Sequence, residues 1–129
     1  MDDNNIIVFE LIRQSLFPSG DSQSSDVFDD VNWEQIYTEL KAHSVAALPC
    51  EYVIGKSLAN EEIRKEWMHL AMSQVGQWTK LMEGQKELVN LLQKNNIRMA
   101  VIKGSAAAVY YPYPEYRTMG DVDFFVKKR

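Results

Sequence analysis

The stretch Val101–Val126, with the sequence VIKGSAAAVYYPYPEYRTMGDVDFFV, decides the fold class of this chain. Its first residues belong to the short apolar segment IRMAVIK, which predicts a buried β-strand. The corner Gly104-Ser105 and the alanine-rich run after it predict a tight turn and a helix, and DVDFFV predicts a second strand. The order strand, corner, helix, strand is typical of the opening of an α/β unit.

Upstream of this unit the apolar residues recur every three or four positions, which predicts a mainly helical region. The predicted helices begin at Asn4 or Asn5, at Asn32, after Pro49 and at Asn60, and the last is a long amphipathic helix that ends at Asn95-Asn96. A polar break over Pro18–Asp26 predicts an exposed loop. We therefore expect an α+β protein with a helical domain over residues 1–95 and the start of a second domain over residues 96–129.

Composition and charge narrow the class of protein. The chain has 129 residues and a formal net charge of −4. General binding to nucleic-acid phosphates requires a basic face, so this charge argues against nucleic acid as a general partner. Cys50 is the single cysteine, which excludes an internal disulfide, and the sequence shows neither a leader pattern nor an apolar run of membrane-spanning length. These features predict a soluble cytoplasmic protein. Cys50 has no basic neighbour to activate it, so it is interpreted as a buried or inert thiol rather than a nucleophile. His43 and His69 have no partner at metal-ligand spacing and are interpreted as structural or surface residues.

The stretch that decides the fold also carries residue types that suit phosphate and metal binding. A helix that begins at Gly104 and Ser105 presents free backbone N–H groups, and glycine lets a phosphate approach the backbone closely. Asp121 and Asp123 lie two residues apart on a predicted strand, so both carboxylates point to one face, where they can bind Mg²⁺. Two metal ions can activate an attacking oxygen and stabilise a leaving pyrophosphate, so the combination predicts nucleotidyl transfer.

Each of these motifs alone has an ordinary structural interpretation. A D-x-D pattern is often a solvated strand edge or a turn, and Gly-Ser is favoured in any tight turn between a strand and a helix. The order in which the motifs follow one another is what favours a metal-dependent transferase core.

The segment Ile97–Val126 resembles the opening of the uncharacterised nucleotidyltransferase family, within the DNA polymerase β superfamily. Members of that family show a Lys-Gly corner, a loop that contains Tyr-Pro, an arginine and then Asp-x-Asp in an apolar strand. Upstream of Ile97 the similarity is architectural, since such proteins often carry helices ahead of the transferase core. The resemblance implies that Gly104 and Ser105 bind a nucleoside triphosphate and that Asp121 and Asp123 are catalytic ligands of Mg²⁺, with two ions in the complete protein.

Two basic residues match positions of the same family pattern. The resemblance implies a phosphate contact for Lys103 and for Arg117. For Arg117 a structural pairing with the two aspartates is the alternative, and Lys103 is otherwise a strand-end residue that faces solvent.

The sequence also departs from the family pattern. The family implies a third carboxylate on a later strand and further sheet, whereas only Lys127–Arg129 follow Val126. The stretch between the corner and the first aspartate is longer than in the superfamily at large, which the loop with Pro112 and Pro114 explains. We expect a fragment of a longer protein, rather than a chain completed by another subunit or a degenerate relative, and we expect this chain alone to be inactive.

The function implied for the longer parent is transfer of a nucleoside monophosphate from a nucleoside triphosphate to an acceptor that the sequence does not identify. The alternative from another class is a helical interaction module that carries a non-catalytic relic of the transferase. That alternative predicts an exposed apolar patch on the long helix that includes Trp67 or Trp78, and it allows oligomerisation through this helix.

Overall fold

The computed structural model describes residues 3–18 and 25–127 of the chain. In chain order these residues form α1 (Asp3–Leu16), a 3₁₀ turn (Ser25–Phe28), α2 (Trp33–Ala42), α3 (Cys50–Gly55), α4 (Glu61–Lys94), β1 (Met99–Ile102), α5 (Gly104–Ala108), a second 3₁₀ turn (Pro114–Tyr116) and β2 (Asp123–Val126). The predicted α+β class is confirmed, with a helical region followed by strand, helix and strand. The loop predicted over Pro18–Asp26 falls mostly on residues 19–24, which lie outside the described residues.

Asparagine side chains cap the first turns of α2 and α4. At the start of α2 the Oδ1 atom of Asn32 accepts a hydrogen bond from the N–H of Gln35 at 3.2 Å. At the start of α4 the Oδ1 atom of Asn60 accepts one from the N–H of Ile63 at 2.9 Å. Each bond satisfies a backbone donor that the first turn of a helix leaves unpaired, so the predicted starts are confirmed.

The chain divides into two compact units, Met1–Met72 and Ser73–Arg129, and the division falls within α4. The predicted boundary between residues 95 and 96 marks a change in sequence pattern from helix to strand, and it stays a prediction. Among residues 3–18 and 25–127, no helix is both long and apolar enough to cross a membrane.

The first unit is built around Trp67, whose side chain is fully buried. Its indole N–H donates a hydrogen bond to the carbonyl oxygen of Ala46 at 2.5 Å. Its ring packs against Tyr37, with ring centroids 5.0 Å apart, and against the edge of Trp33 at 6.4 Å. Other fully buried apolar side chains of this unit are Leu11, Ile36, Leu40, Pro49 and Val53.

Cys50 lies in the same core and is confirmed as a buried thiol. Burial raises its pKa to about 11, and the nearby carboxylate of Glu51 contributes in the same direction. At neutral pH the residue is therefore a protonated thiol, and its S–H group points to the carbonyl oxygen of Trp67 at 3.9 Å.

The alternative that treats the long helix as a docking surface depends on exposed tryptophans. Trp67 is buried in the first unit, and Trp78 is half-buried in the second. Neither side chain is therefore exposed in the way that this alternative predicts.

The second unit contains the sheet and the C-terminal two thirds of α4. Strands β1 and β2 pair antiparallel, from Met99 opposite Val126 to Ile102 opposite Asp123. The prediction of a buried first strand is wrong. Met99 is half-buried while Ile102 is exposed, because the two-stranded sheet of the described residues is partly covered on one face only.

Candidate functional site

The antiparallel ladder brings the D-x-D motif next to the Gly-Ser corner. Its last pair joins Ile102 to Asp123, and the chain turns at Lys103 directly after Ile102. Residues that face each other in an antiparallel pair have Cα atoms about 4.5–5.5 Å apart. The backbone of Asp123 therefore lies across from the residue that leads into the corner.

Asp121 lies outside the strand that the sequence predicts for it. Strand β2 begins at Asp123, and Asp121 and Val122 precede it. The physical reason is that β1 ends at Ile102, so the backbone of Asp121 has no extended partner to pair with. The expectation that strand geometry alone points both carboxylates to one face is therefore wrong for Asp121.

Both carboxylates are exposed and accessible. Within residues 3–18 and 25–127, neither the Asp121 carboxylate nor the Asp123 carboxylate forms a hydrogen bond or an ion pair. Carboxylate oxygens are the ligands that Mg²⁺ prefers, so the donor chemistry of this pair fits the ion. In the same part of the chain no group of three or more His, Cys, Asp or Glu residues is arranged to hold a metal, so the pair supplies two carboxylates only.

The corner itself is strained at Lys103. This residue has φ 55° and ψ −126°, a conformation that glycine adopts freely and that a residue with a Cβ atom adopts at a cost of about 1–3 kcal/mol. The corner is held closed by the N–H of Ala107, which donates to the carbonyl oxygen of Lys103 at 2.7 Å. Strain of this kind is often retained at binding sites, where it fixes the direction of the chain.

We predict that Lys103→Gly stabilises the protein by about 1 kcal/mol, because relief of strain exceeds the added entropy of the unfolded chain. Urea denaturation followed by circular dichroism measures the change. Lys103→Ala is the matched control, since it removes the same side chain and keeps the Cβ atom. A glycine variant that is no more stable than the alanine variant would show that the corner is unstrained.

Gly104 packs closely against the side chain of Met119. A Cβ atom built on Gly104 would lie 2.9 Å from Sδ of Met119 and 3.5 Å from Nη1 of Arg117. The structure thus gives this glycine a role that the sequence did not predict, which is to admit the buried Met119 side chain. The same distances place the Arg117 guanidinium at the corner.

Arg117 is held from two sides. Its guanidinium lies over the ring of Tyr111, with Cζ 5.9 Å from the ring centroid. Its carbonyl oxygen accepts a hydrogen bond from Nε2 of the buried Gln74 at 3.0 Å. In the part of the chain that the structure describes, Arg117 makes no ion pair with Asp121 or Asp123. Of the two roles that the sequence left open, the structural pairing with the aspartates is therefore not observed.

Ser105 is bonded to the long helix. Its hydroxyl donates to Oε1 of Gln85 at 2.7 Å. The sequence motifs did not single out Gln74 or Gln85, which are eleven residues apart and so lie on the same face of α4. That face is otherwise apolar, so a polar side chain on it is the sequence signal that could have indicated these two contacts.

Helix α5 is shorter than the alanine-rich run predicts. It spans five residues, Gly104–Ala108, and ends before Tyr111, whose helical conformation is disfavoured by the proline that follows. A single turn has a small helix dipole, so an anion at this corner would have to be held mainly by side chains.

The elements and the site define the class: an α+β protein in which a strand, a Gly-Ser corner, a short helix and an aspartate-bearing strand follow a helical region. The sequence profile of the family described as "Uncharacterised nucleotidyltransferase" matches residues 29–129. The chain belongs to this family, which confirms the predicted resemblance. Comparisons with curated proteins and with solved structures give no significant match.

The family match extends further upstream than the motifs. It begins at residue 29, so it includes α2, α3 and α4 as well as the strands. The resemblance that the sequence motifs indicate is specific only from Ile97 onward and architectural before it. Helix α4, which supplies Gln74 and Gln85, is therefore part of the family pattern.

Proposed function

We propose that this nucleotidyltransferase-like protein, or a longer protein that contains it, transfers a nucleoside monophosphate from a nucleoside triphosphate to an acceptor by two-metal chemistry. An acceptor oxygen forms a bond to the α-phosphorus, the bond from that phosphorus to the bridging oxygen breaks, and pyrophosphate leaves. The acceptor is a small molecule, a protein side chain or an RNA end.

The pairing of Ile102 with Asp123 is the observation that carries this proposal. It brings the aspartate motif beside a corner that also holds the Arg117 guanidinium and the Ser105 hydroxyl. The backbone that carries carboxylates suited to a metal ion therefore lies beside a corner at which a guanidinium suited to phosphate is held.

Each residue has a role that follows from its chemistry. Asp121 and Asp123 would hold Mg²⁺, which supplies charge neutralisation at the phosphates and activation of the attacking oxygen. Arg117 binds phosphate oxygens as a fixed donor, because Tyr111 and Gln74 hold it in place. Lys103 adds a mobile positive charge at the same corner, and Ser105 donates a hydrogen bond to phosphate.

We predict that titration of the chain with Mg²⁺ and ATP shifts the backbone amide resonances of Gly104, Ser105 and Asp121 and that the shifts saturate. Two-dimensional ¹⁵N NMR measures them residue by residue. Cys50, which is buried in the first unit, is the internal reference and is expected not to shift.

Three titrations separate the parts of the site. ATP without metal tests the corner, Mg²⁺ alone tests the aspartates, and both together test the assembled site. Shifts confined to the first unit, or no shifts at any millimolar concentration of either ligand, would contradict the proposed function.

A further inference from the structure

We propose that Gln85 is a positioning residue of the nucleotide site, because its amide sets the direction in which the Ser105 hydroxyl donates its proton. This inference rests on the proposed function and extends it to a residue on α4. The substrate group concerned is the phosphate chain of the nucleotide.

The first step is the hydrogen bond itself. The Ser105 hydroxyl donates to Oε1 of Gln85 at 2.7 Å, and both side chains are half-buried, so water competes with this bond less than it would at an open surface. Gln85 lies in the interior of a 34-residue helix, so its backbone is fixed. The corner is thereby tied to α4 through one side-chain contact.

The second step is a count of protons. A serine hydroxyl has one proton to donate, and the ionised oxygens of a triphosphate can only accept. While Ser105 donates to Gln85, it cannot donate to a phosphate. Nucleotide binding through this hydroxyl therefore requires the hydrogen bond to Gln85 to change direction.

The third step is the chemistry of the glutamine side chain. Its terminal amide carries an acceptor oxygen and an NH₂ donor on the same carbon. Rotation of that amide by about 180° replaces Oε1 by Nε2 without moving α4, because the last torsion of a glutamine side chain is soft. Ser105 then accepts from Gln85 and donates to phosphate, so the corner keeps its contact with α4 in both states.

Only an amide allows both states. A glutamate at this position accepts in both orientations at neutral pH and keeps the serine proton turned away from phosphate. A methionine has similar length and neither donates nor holds the hydroxyl. Gln74 differs from Gln85 in this respect, since its Nε2 donates to a backbone carbonyl, which can only accept.

The test is a double-mutant cycle of Gln85→Glu and Ser105→Ala in the full 129-residue chain. Dissociation constants are measured by calorimetry for Mg²⁺ with ATP and for Mg²⁺ with inorganic tripolyphosphate. We expect Gln85→Glu to weaken both ligands about tenfold or more when Ser105 is present, the scale of one hydrogen bond to a charged group. In the Ser105→Ala background the same change is expected to weaken them only about twofold, the part due to added negative charge.

Two further variants separate positioning from packing. Gln85→Met is expected to weaken ligand binding less than Gln85→Glu, because it leaves the serine proton free to reach phosphate. Gln77→Glu adds the same charge at an exposed position of α4 and is expected to leave both affinities within about twofold. A role limited to packing would instead make the loss of affinity follow the loss of thermal stability across all variants.

The outcomes for this inference and for the proposed function are distinct. If Gln85→Glu weakens binding equally with and without Ser105, the positioning role is wrong and the nucleotide site stands. If the wild-type chain binds neither ATP nor tripolyphosphate in the presence of Mg²⁺, the proposed function is wrong for this chain, and the inference falls with it.

Discussion

Replacement of Trp67 by alanine is expected to destabilise the first unit by about 3–5 kcal/mol, the range found for buried aromatic residues. Two losses add up. The side chain is fully buried, so its removal leaves a cavity against Tyr37 and Trp33. Its indole N–H also satisfies the carbonyl oxygen of Ala46, which becomes unpaired in the variant. The free energy of unfolding, measured by urea denaturation and far-ultraviolet circular dichroism, gives the effect.

Trp67→Phe keeps the prediction testable if the alanine variant does not fold. It retains most of the ring volume and loses the hydrogen bond, so about 1–3 kcal/mol is expected from the unpaired carbonyl and the smaller ring. Trp78→Ala is the matched control on the same helix, where a half-buried tryptophan is expected to cost less. Equal destabilisation by Trp67→Ala and Trp78→Ala would show that Trp67 is not the centre of the core.

The helices and the corner were predictable because their signals are local. Asn32 and Asn60 reveal helix starts through side chains that bond three residues along the chain. The periodicity of α4 is a property of one continuous segment, and the structure confirms it from Glu61 to Lys94. The corner at Gly104 follows a short apolar run, which is also read within a few residues.

The length of β2 was not predictable in the same way. A strand continues only as far as its partner remains extended, and β1 stops at Ile102 because the chain turns at Lys103. The alternation of DVDFFV fits a longer strand equally well. The position of Asp121 outside the ladder therefore depends on a residue about twenty positions earlier in the chain.

The side chains that hold the site could not be predicted from the neighbouring sequence either. Gln74 bonds to Arg117 and Gln85 bonds to Ser105, contacts that join residues 43 and 20 positions apart. A glutamine on an apolar helix face is compatible with a solvated edge as well as with a buried contact. Whether the glutamine is solvated or makes a buried contact depends on which loop packs against it, and the sequence pattern of α4 alone does not contain that information.

The same limit applies to Gly104. Its sequence context suggested a glycine kept small for a ligand, whereas the nearest obstacle to a Cβ atom is the side chain of Met119. What the structure adds is that Gly104→Ala would require the Met119 side chain to shift even in the absence of nucleotide, whereas Arg117 would stay at van der Waals distance from the added Cβ atom.

The double variant Asp121→Asn and Asp123→Asn is expected to weaken the Mg²⁺-dependent binding of ATP by at least about a hundredfold. Loss of a residue that only supports a metal ligand costs about 10–100-fold, and these two residues are the proposed ligands themselves. Asparagine keeps the size of aspartate and removes the charge that a divalent cation requires. In a longer parent that catalyses transfer, incorporation of labelled nucleotide is expected to fall to background. Both side chains are exposed, so the free energy of unfolding is expected to change by less than about 0.5 kcal/mol.

Without metal, the same double variant is expected to change phosphate affinity in the opposite direction. Removal of two negative charges beside the corner reduces repulsion of phosphate, so tripolyphosphate in the absence of Mg²⁺ is expected to bind the double variant slightly more tightly than it binds the wild type. Asp29→Asn with Asp30→Asn is the matched control, because those two aspartates are also exposed and lie in the first unit. If Mg²⁺ strengthens ATP binding as much in the Asp121 and Asp123 double variant as in the wild type, these aspartates do not hold the metal, because the effect of Mg²⁺ would then persist without their carboxylates.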